Sequence, residues 1–185
     1  MIFLIRHGES FDNKNLIFSG YQNSNLTDLG KKQILGTAEI LKKEEKDLTI
    51  FSSELNRTKE SAIIIKNHLN VKGNIIYDKL LNERNYGILT GKTHISMEKI
   101  FGEQQIFKWR RSLNCVPPGG ESLLDVVKRV ESFYKKYSIL KSKDDIIIVA
   151  RGNIIKSFLY YFMKIQEKDI ENILIKNGEI IRISF

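Results

Sequence analysis

Apolar positions along the chain fall into two periods. Short apolar runs predict strands at "MIFLI" (1–5), "DLTIFSS" (47–53), "NIIY" (74–77), "DIIIVA" (145–150) and "GEIIRIS" (178–184). Helical spacing fills much of the rest. Thr27 is read as the N-cap of a helix over 28–44, and "ELNRTKESAIIIKNHL" (54–69) as a helix with Ala62, Ile65 and Leu69 inward. Short helices are expected across 95–111. Ser122 with Asp125 three residues on has the form of a capping box, and the helix it opens carries Leu123, Val127, Val130, Tyr134 and Tyr137 on one face. Asn153 opens another apolar helix. Residues 9–26 and 81–92 are expected as loops, and "CVPPGGES" (115–122), which holds both prolines, as the sharpest break.

Strands that alternate with helices predict an α/β fold, a three-layer α/β/α sandwich with a mostly parallel central sheet. The 185 residues suit one domain over 1–185. Cys115 is the only cysteine, so no internal disulfide forms and a reducing, cytoplasmic setting is expected. The opening apolar run is cut off at Arg6, too short for a signal-peptide core, and no later run approaches a membrane span, so no membrane partner is expected. The net charge of +8 points to anionic partners, but the lysines sit in scattered pairs such as Lys31-Lys32 and Lys135-Lys136. No nucleic-acid motif accompanies them, and no nucleic-acid partner is expected.

The chemistry gathers at the ends of the predicted strands. In "IRHGES" (5–10), His7 follows a buried strand and precedes a glycine that permits a tight turn. A histidine held there serves either as a structural partner of Arg6 or as a nucleophile beside a phosphate-binding guanidinium. "IIIVARGNIIK" (146–156) repeats the layout with Arg151, Gly152 and Asn153. Arg57, Arg84, Arg110 and Arg111 also stand at element or loop ends. One such arginine is usually a solvated charge, but five together suggest a crevice for a phosphorylated ligand. Asn153 and the helix amides after it could add an anion site. Glu83, in "LNERNYG", is either a solvated loop carboxylate or the proton donor and acceptor that phosphoryl transfer to a hydroxyl requires. Cys115 has no histidine near it in sequence and is read as a spectator thiol.

"LIRHGES", Asn13, "FSG" (18–20) and "LTDLG" (26–30) resemble the opening of the histidine phosphatase superfamily. "LNERNYGILTGK" (81–92), "FGEQQ" (101–105), "WRRS" (109–112), "PPGGES" and "ARGNIIKSFLYY" narrow the resemblance to the phosphoglycerate mutase branch primed by 2,3-bisphosphoglycerate. That resemblance implies interconversion of 2- and 3-phosphoglycerate in glycolysis and gluconeogenesis, through a phosphohistidine at His7. It implies that Arg6 and Arg57 hold the transferring group and that Glu83 moves the proton. Asn13, Ser19, Gly20, Tyr86, Arg110, Arg111, Gly152 and Asn153 would bind substrate. It implies no metal, a small phosphorylated substrate, and a homodimer or homotetramer.

Two positions depart from the family pattern. Arg151 stands where the family has a second catalytic histidine, and His94 where it usually has a substrate-binding lysine. Arginine brings charge and donors, but it is longer, cannot share a proton, and can pair with Glu83 or block the pocket. Loss of one such donor costs on the order of 10² to 10³ in rate. Reduced mutase activity is therefore expected. The alternatives are a histidine-type phosphatase and a catalytically inactive phosphoester-binding protein.

Overall fold

The computed structural model describes residues 1–42, 48–139 and 144–184. Among the described residues five strands, β1 (Ile2–Arg6), β2 (Leu48–Ser52), β3 (Ile76–Tyr77), β4 (Asp145–Ala150) and β5 (Ile180–Ile183), form one sheet in the order β3-β2-β4-β1-β5. β1, β2 and β3 run parallel to their neighbours on the β4 side, and β5 pairs antiparallel with β1 at the edge. The sheet is thus mostly parallel, as the sequence pattern predicts.

Side chains alternate across the sheet because successive Cβ atoms point to opposite faces. Phe3, Ile5, Ile147 and Val149 face α2 (Asp28–Leu41) and α3 (Asn56–His68), meeting Ile34, Ala38, Ala62 and Ile65. Ile2, Leu4, Ile146 and Ile148 face α6 (Leu123–Tyr137) and α7 (Gly152–Met163), meeting Val126, Val130, Phe133, Ile154 and Phe158. Both faces are covered, so strand β4 is buried along its whole length. Thr27 and Ser122 cap their helices as expected, Thr27 accepting from the Gly30 N–H at 3.0 Å and Ser122 closing a capping box with Asp125.

The structure corrects several boundaries. The expected loop over 9–26 contains a one-turn helix, α1 (Phe11–Lys14), closed by a capping box at Ser10. Asn13 fills the third position of that box, which hydrophobic patterning does not register. The short helices expected across 95–111 are present as α4 (His94–Phe101) and α5 (Glu103–Arg111), divided at Gly102, which adopts φ +81°. α2 is described only to Leu41, and the predicted residues 43 and 44 of that helix, with Asp47 of the β2 run, lie outside the described residues. "NIIY" yields only the pair Ile76–Tyr77. A short helix, α8 (Glu167–Ile170), precedes the segment that leads into β5. Among the described residues no helix is long and apolar enough to cross a membrane.

Candidate active site

Parallel pairing of β1 with β4 puts Arg6 opposite Ala150, so the residues that follow, His7 and Arg151, leave the sheet side by side at its carboxyl edge. The His7 N–H donates to the Ala150 carbonyl at 3.1 Å, and the His7 carbonyl accepts from Asn177 Nδ2 at 2.9 Å. The loop after His7 lies against the start of α2. A Cβ on Gly8 would stand 2.2 Å from the Gly30 carbonyl oxygen, and one on Gly30 would stand 2.0 Å from that of Glu9. Only two glycines allow this approach.

His7 is wholly buried. Its Nδ1 lies 2.6 Å from the Gly8 carbonyl oxygen. A carbonyl can only accept, so Nδ1 carries the proton and Nε2 presents a lone pair. Burial pushes the His7 pKa well below the usual histidine range, and the guanidiniums of Arg57, Arg6 and Arg151 act in the same direction. The ring is neutral at pH 7.

Arg57, also wholly buried, donates from Nη1 to the Gln22 carbonyl at 2.8 Å and from Nη2 to the Gly20 carbonyl at 3.0 Å. Arg6 donates from Nη1 to the Ile175 carbonyl. Burial first, and Arg151 second, lower both guanidiniums to about 10. Among the described residues Arg6 Nε, His7 Nε2, Ser19 Oγ, Arg57 Nε and Arg151 Nη1 are all buried without a hydrogen-bond partner. The three guanidinium donors and the Ser19 hydroxyl fit the oxygens of a phosphoryl group, and the Nε2 lone pair is left to face its phosphorus.

Glu83 follows a 3₁₀ turn at Lys79–Leu81 and is 1% exposed. Its Oε1 accepts from the Arg84 N–H at 2.6 Å and from Asn153 Nδ2 at 3.0 Å. Its Oε2 lies 3.2 Å from Arg151 Nε. Asn153 Nδ2 also donates to the Tyr86 hydroxyl at 2.9 Å.

A cavity of about 140 Å³ opens beside this cluster. Of the residues singled out in the sequence, Arg6, Glu83, Tyr86, Arg110, Arg111, Arg151, Gly152 and Asn153 line it. His7 does not line it. Arg57, Ser19 and Gly20 are buried as His7 is, and half-buried Asn13 joins them through Asn177, whose Nδ2 bridges the His7 carbonyl and Asn13 Oδ1, the latter at 3.2 Å. His94 is not among the lining residues. Its ring packs on Phe18 with centroids 4.2 Å apart, and burial, then Arg110 and Arg151, lower it to about 4. It therefore supplies no fixed charge of the kind a lysine would.

Arg84 departs from the expected convergence. Its guanidinium donates to the carbonyls of Glu121 at 2.7 Å and Cys115 at 2.8 Å, so it braces the 115–121 connection and does not reach the cavity. Two residues escaped the sequence reading. Asn177 lies in a turn before β5 with no motif to mark it. Lys156 lines the cavity, and its signal was available: a lone cation within an otherwise apolar helix, spaced three residues from Asn153.

Among the described residues no group of three or more His, Cys, Asp or Glu side chains could hold a metal ion. The arrangement supplies a neutral, oriented imidazole, a cradle of guanidiniums and one buried carboxylate.

A sequence profile of the histidine phosphatase superfamily (branch 1) matches residues 2–185. The 2,3-bisphosphoglycerate-dependent phosphoglycerate mutase of Cytophaga hutchinsonii is 33% identical over 180 residues, covering 96% of this chain and 84% of that one. Among solved structures, a mycobacterial glucosyl-3-phosphoglycerate phosphatase complexed with VO3 superposes with a TM-score of 0.87 at 24% identity, over 97% of this chain and 90% of that one. The alpha-ribazole phosphatase of Shigella flexneri gives 0.82 at 21% identity, over 97% and 87%. With its profile match running from the first strand to the last residue, the chain belongs to the histidine phosphatase superfamily, branch 1.

Proposed function

We propose that the protein interconverts 2- and 3-phosphoglycerate by passing a phosphoryl group through His7, at a rate held down by Arg151. The observation that carries this reading is the state of His7: a buried, neutral ring with Nδ1 fixed by a carbonyl and Nε2 free among guanidiniums. The relatives named as mutases support the choice of substrate. 2,3-Bisphosphoglycerate, when bound, would supply the first phosphoryl group, and the unsatisfied donors of Arg6, Arg57 and Arg151 fit its phosphate oxygens.

His7 Nε2 attacks phosphorus, the P–O bond to the substrate breaks, and the leaving oxygen takes a proton from Glu83. In reverse, Glu83 accepts the proton of the substrate hydroxyl as that oxygen attacks the phosphohistidine. Arg6 and Arg57 neutralise the equatorial oxygens throughout, since the transition state is loose and negatively charged. Arg110 and Arg111 hold the group that is not transferred. Before any of this, Arg151 must release Glu83, because its Nε holds the carboxylate that is to move the proton while its Nη1 is the donor left for the phosphoryl oxygens.

One observation favours a second reading. His94 gives the pocket no fixed charge, which weakens the grip on the second anionic group and lets water act as acceptor, so the enzyme would be a phosphatase. The two are separated by following 3-phosphoglycerate with and without 2,3-bisphosphoglycerate. Formation of 2-phosphoglycerate that depends on the priming ester supports the mutase. Release of inorganic phosphate without 2-phosphoglycerate supports the phosphatase and overturns the first reading.

A further inference from the structure

Lys156 sits on the face of α7 that carries Gly152 and Asn153, one turn further along, and it borders the cavity. The residue is 7% exposed. Burying an ammonium is costly unless an anion or several acceptors compensate it. Here Nζ has one acceptor, the Ile170 carbonyl at 3.1 Å, and among the described residues it has no carboxylate at ion-pair distance. The arginines beside it are in the same condition. Arg111 Nη1 donates to the Glu171 carbonyl at 3.3 Å, and Arg6 Nη1 to the Ile175 carbonyl. Three cations around one cavity thus rest on backbone carbonyls of a single segment, 170–175. A neutral carbonyl leaves most of a cation's charge uncompensated, so the far side of the cavity is built to receive an anion.

We propose that Lys156 is a specificity-determining residue that binds the non-transferred anionic group of the substrate, a carboxylate or a second phosphate, together with Arg111. This rests on the reading that the substrate is a phosphate ester with a second anionic group. The transferred phosphoryl group belongs with His7 and Arg57, which do not line the cavity, whereas Lys156 and Arg111 line it and Arg6 stands between the two, so the two anions of one ligand would rest on different cations with Arg6 shared.

Proton linkage gives a signature that a purely structural lysine would lack. Burial, then the neighbouring Arg111, lower Lys156 to about 8, with Arg110 acting the same way and Glu83 and Glu171 opposing. Arg6 and Arg151 face the same cavity. An anion docked on Nζ favours the charged form, so its arrival raises the pKa and draws a proton from solvent.

The test is equilibrium binding of 3-phosphoglycerate and of inorganic phosphate by titration calorimetry, which needs no turnover. The wild type is expected to bind 3-phosphoglycerate more tightly than inorganic phosphate. Lys156→Gln is expected to weaken 3-phosphoglycerate by about 10- to 100-fold, the loss typical of a charged hydrogen bond, and to leave inorganic phosphate within about 2-fold. Lys156→Arg should recover most of the difference. Equal affinities for the two ligands in the wild type, or a folded Gln variant that loses both equally or neither, would overturn the proposal. Should the Gln variant not fold, the wild type alone decides. Proton uptake on binding 3-phosphoglycerate, read in two buffers of different ionisation enthalpy at about pH 8.5, is expected, and its absence overturns the proposal. If no phosphohistidine ever forms but the selective loss is seen, the catalytic reading fails and the binding role of Lys156 stands.

Discussion

Arg151 Nε and Glu83 Oε2 stand 3.2 Å apart, in a pair whose carboxylate side chain is 1% exposed and whose guanidinium side chain is 13% exposed. The arginine at β4's carboxyl end thereby holds Glu83, among the described residues the one buried carboxylate that lines the cavity, and His7 is not among the lining residues. The cationic cradle for phosphoryl transfer is kept, while the group proposed to move the proton is tied up.

Arg151→His should therefore raise activity. The shorter ring releases Glu83 Oε2, restores a donor that can share a proton, and opens space toward His7. The expected gain in kcat for phosphoglycerate interconversion is on the order of 10²-fold, the usual worth of one such donor. An unchanged or lower rate in a folded variant contradicts this account.

The same pair should be visible in stability. Glu83→Gln leaves Arg151 uncompensated beside Arg6 and Arg57, and breaking one side of a buried pair costs about 3–5 kcal/mol. Arg151→Gln should recover part of that loss when combined with it. Urea denaturation of the four proteins in the cycle is expected to give a coupling of at least about 1 kcal/mol, whereas additive losses would show that the contact carries no energy.

His7 makes stability depend on pH. Its folded pKa lies well below the ordinary value of 6.5, chiefly through burial. Below pH 6.5 the unfolded chain binds a proton there that the folded chain refuses, so stability falls with acidification, by up to about 1.4 kcal/mol per pH unit from this group. His94, lowered to about 4, adds in the same direction. Stability curves for His7→Gln should be shallower than wild type between pH 6.5 and the folded value, and parallel curves would show that His7 titrates normally.

Gly30 tests how closely the α2 start fixes the nucleophile. A Cβ there meets the Glu9 carbonyl oxygen at 2.0 Å, an obstacle made of backbone. Gly30→Ala is expected to cost about 1–3 kcal/mol of stability and to lower phosphoryl transfer by displacing the loop after His7. A variant of wild-type stability and activity would mean that the loop yields without strain.

Much of this was legible in the chain. The unbroken apolar runs in "IFLI" and "DIIIVA" give two buried faces, hence a covered parallel sheet, and the sheet's carboxyl edge places His7 beside Arg151. Arginines at element ends pointed to most of the cavity's cations, and the departure from the family resemblance at position 151 raised pairing with Glu83, which is observed. What escaped were features set by tertiary contact. Arg84 reads like its neighbours in sequence but is consumed by the carbonyls of Glu121 and Cys115. Asn177 gains its place only when β5 returns beside β1. His94 packs on Phe18, a partner that helix periodicity cannot name. Lys156 was hidden by treating its helix as core.

The most direct measurement of the central claim is phosphoenzyme formation. The protein is incubated with labelled 2,3-bisphosphoglycerate, and acid-labile, base-stable label is sought on the chain. The account predicts label at His7 that is absent from His7→Ala and that chases onto 3-phosphoglycerate, slowly in the wild type and faster in Arg151→His. No label on a chain that still binds the ester would contradict it, leaving a phosphoester-binding protein whose cradle survives without the chemistry.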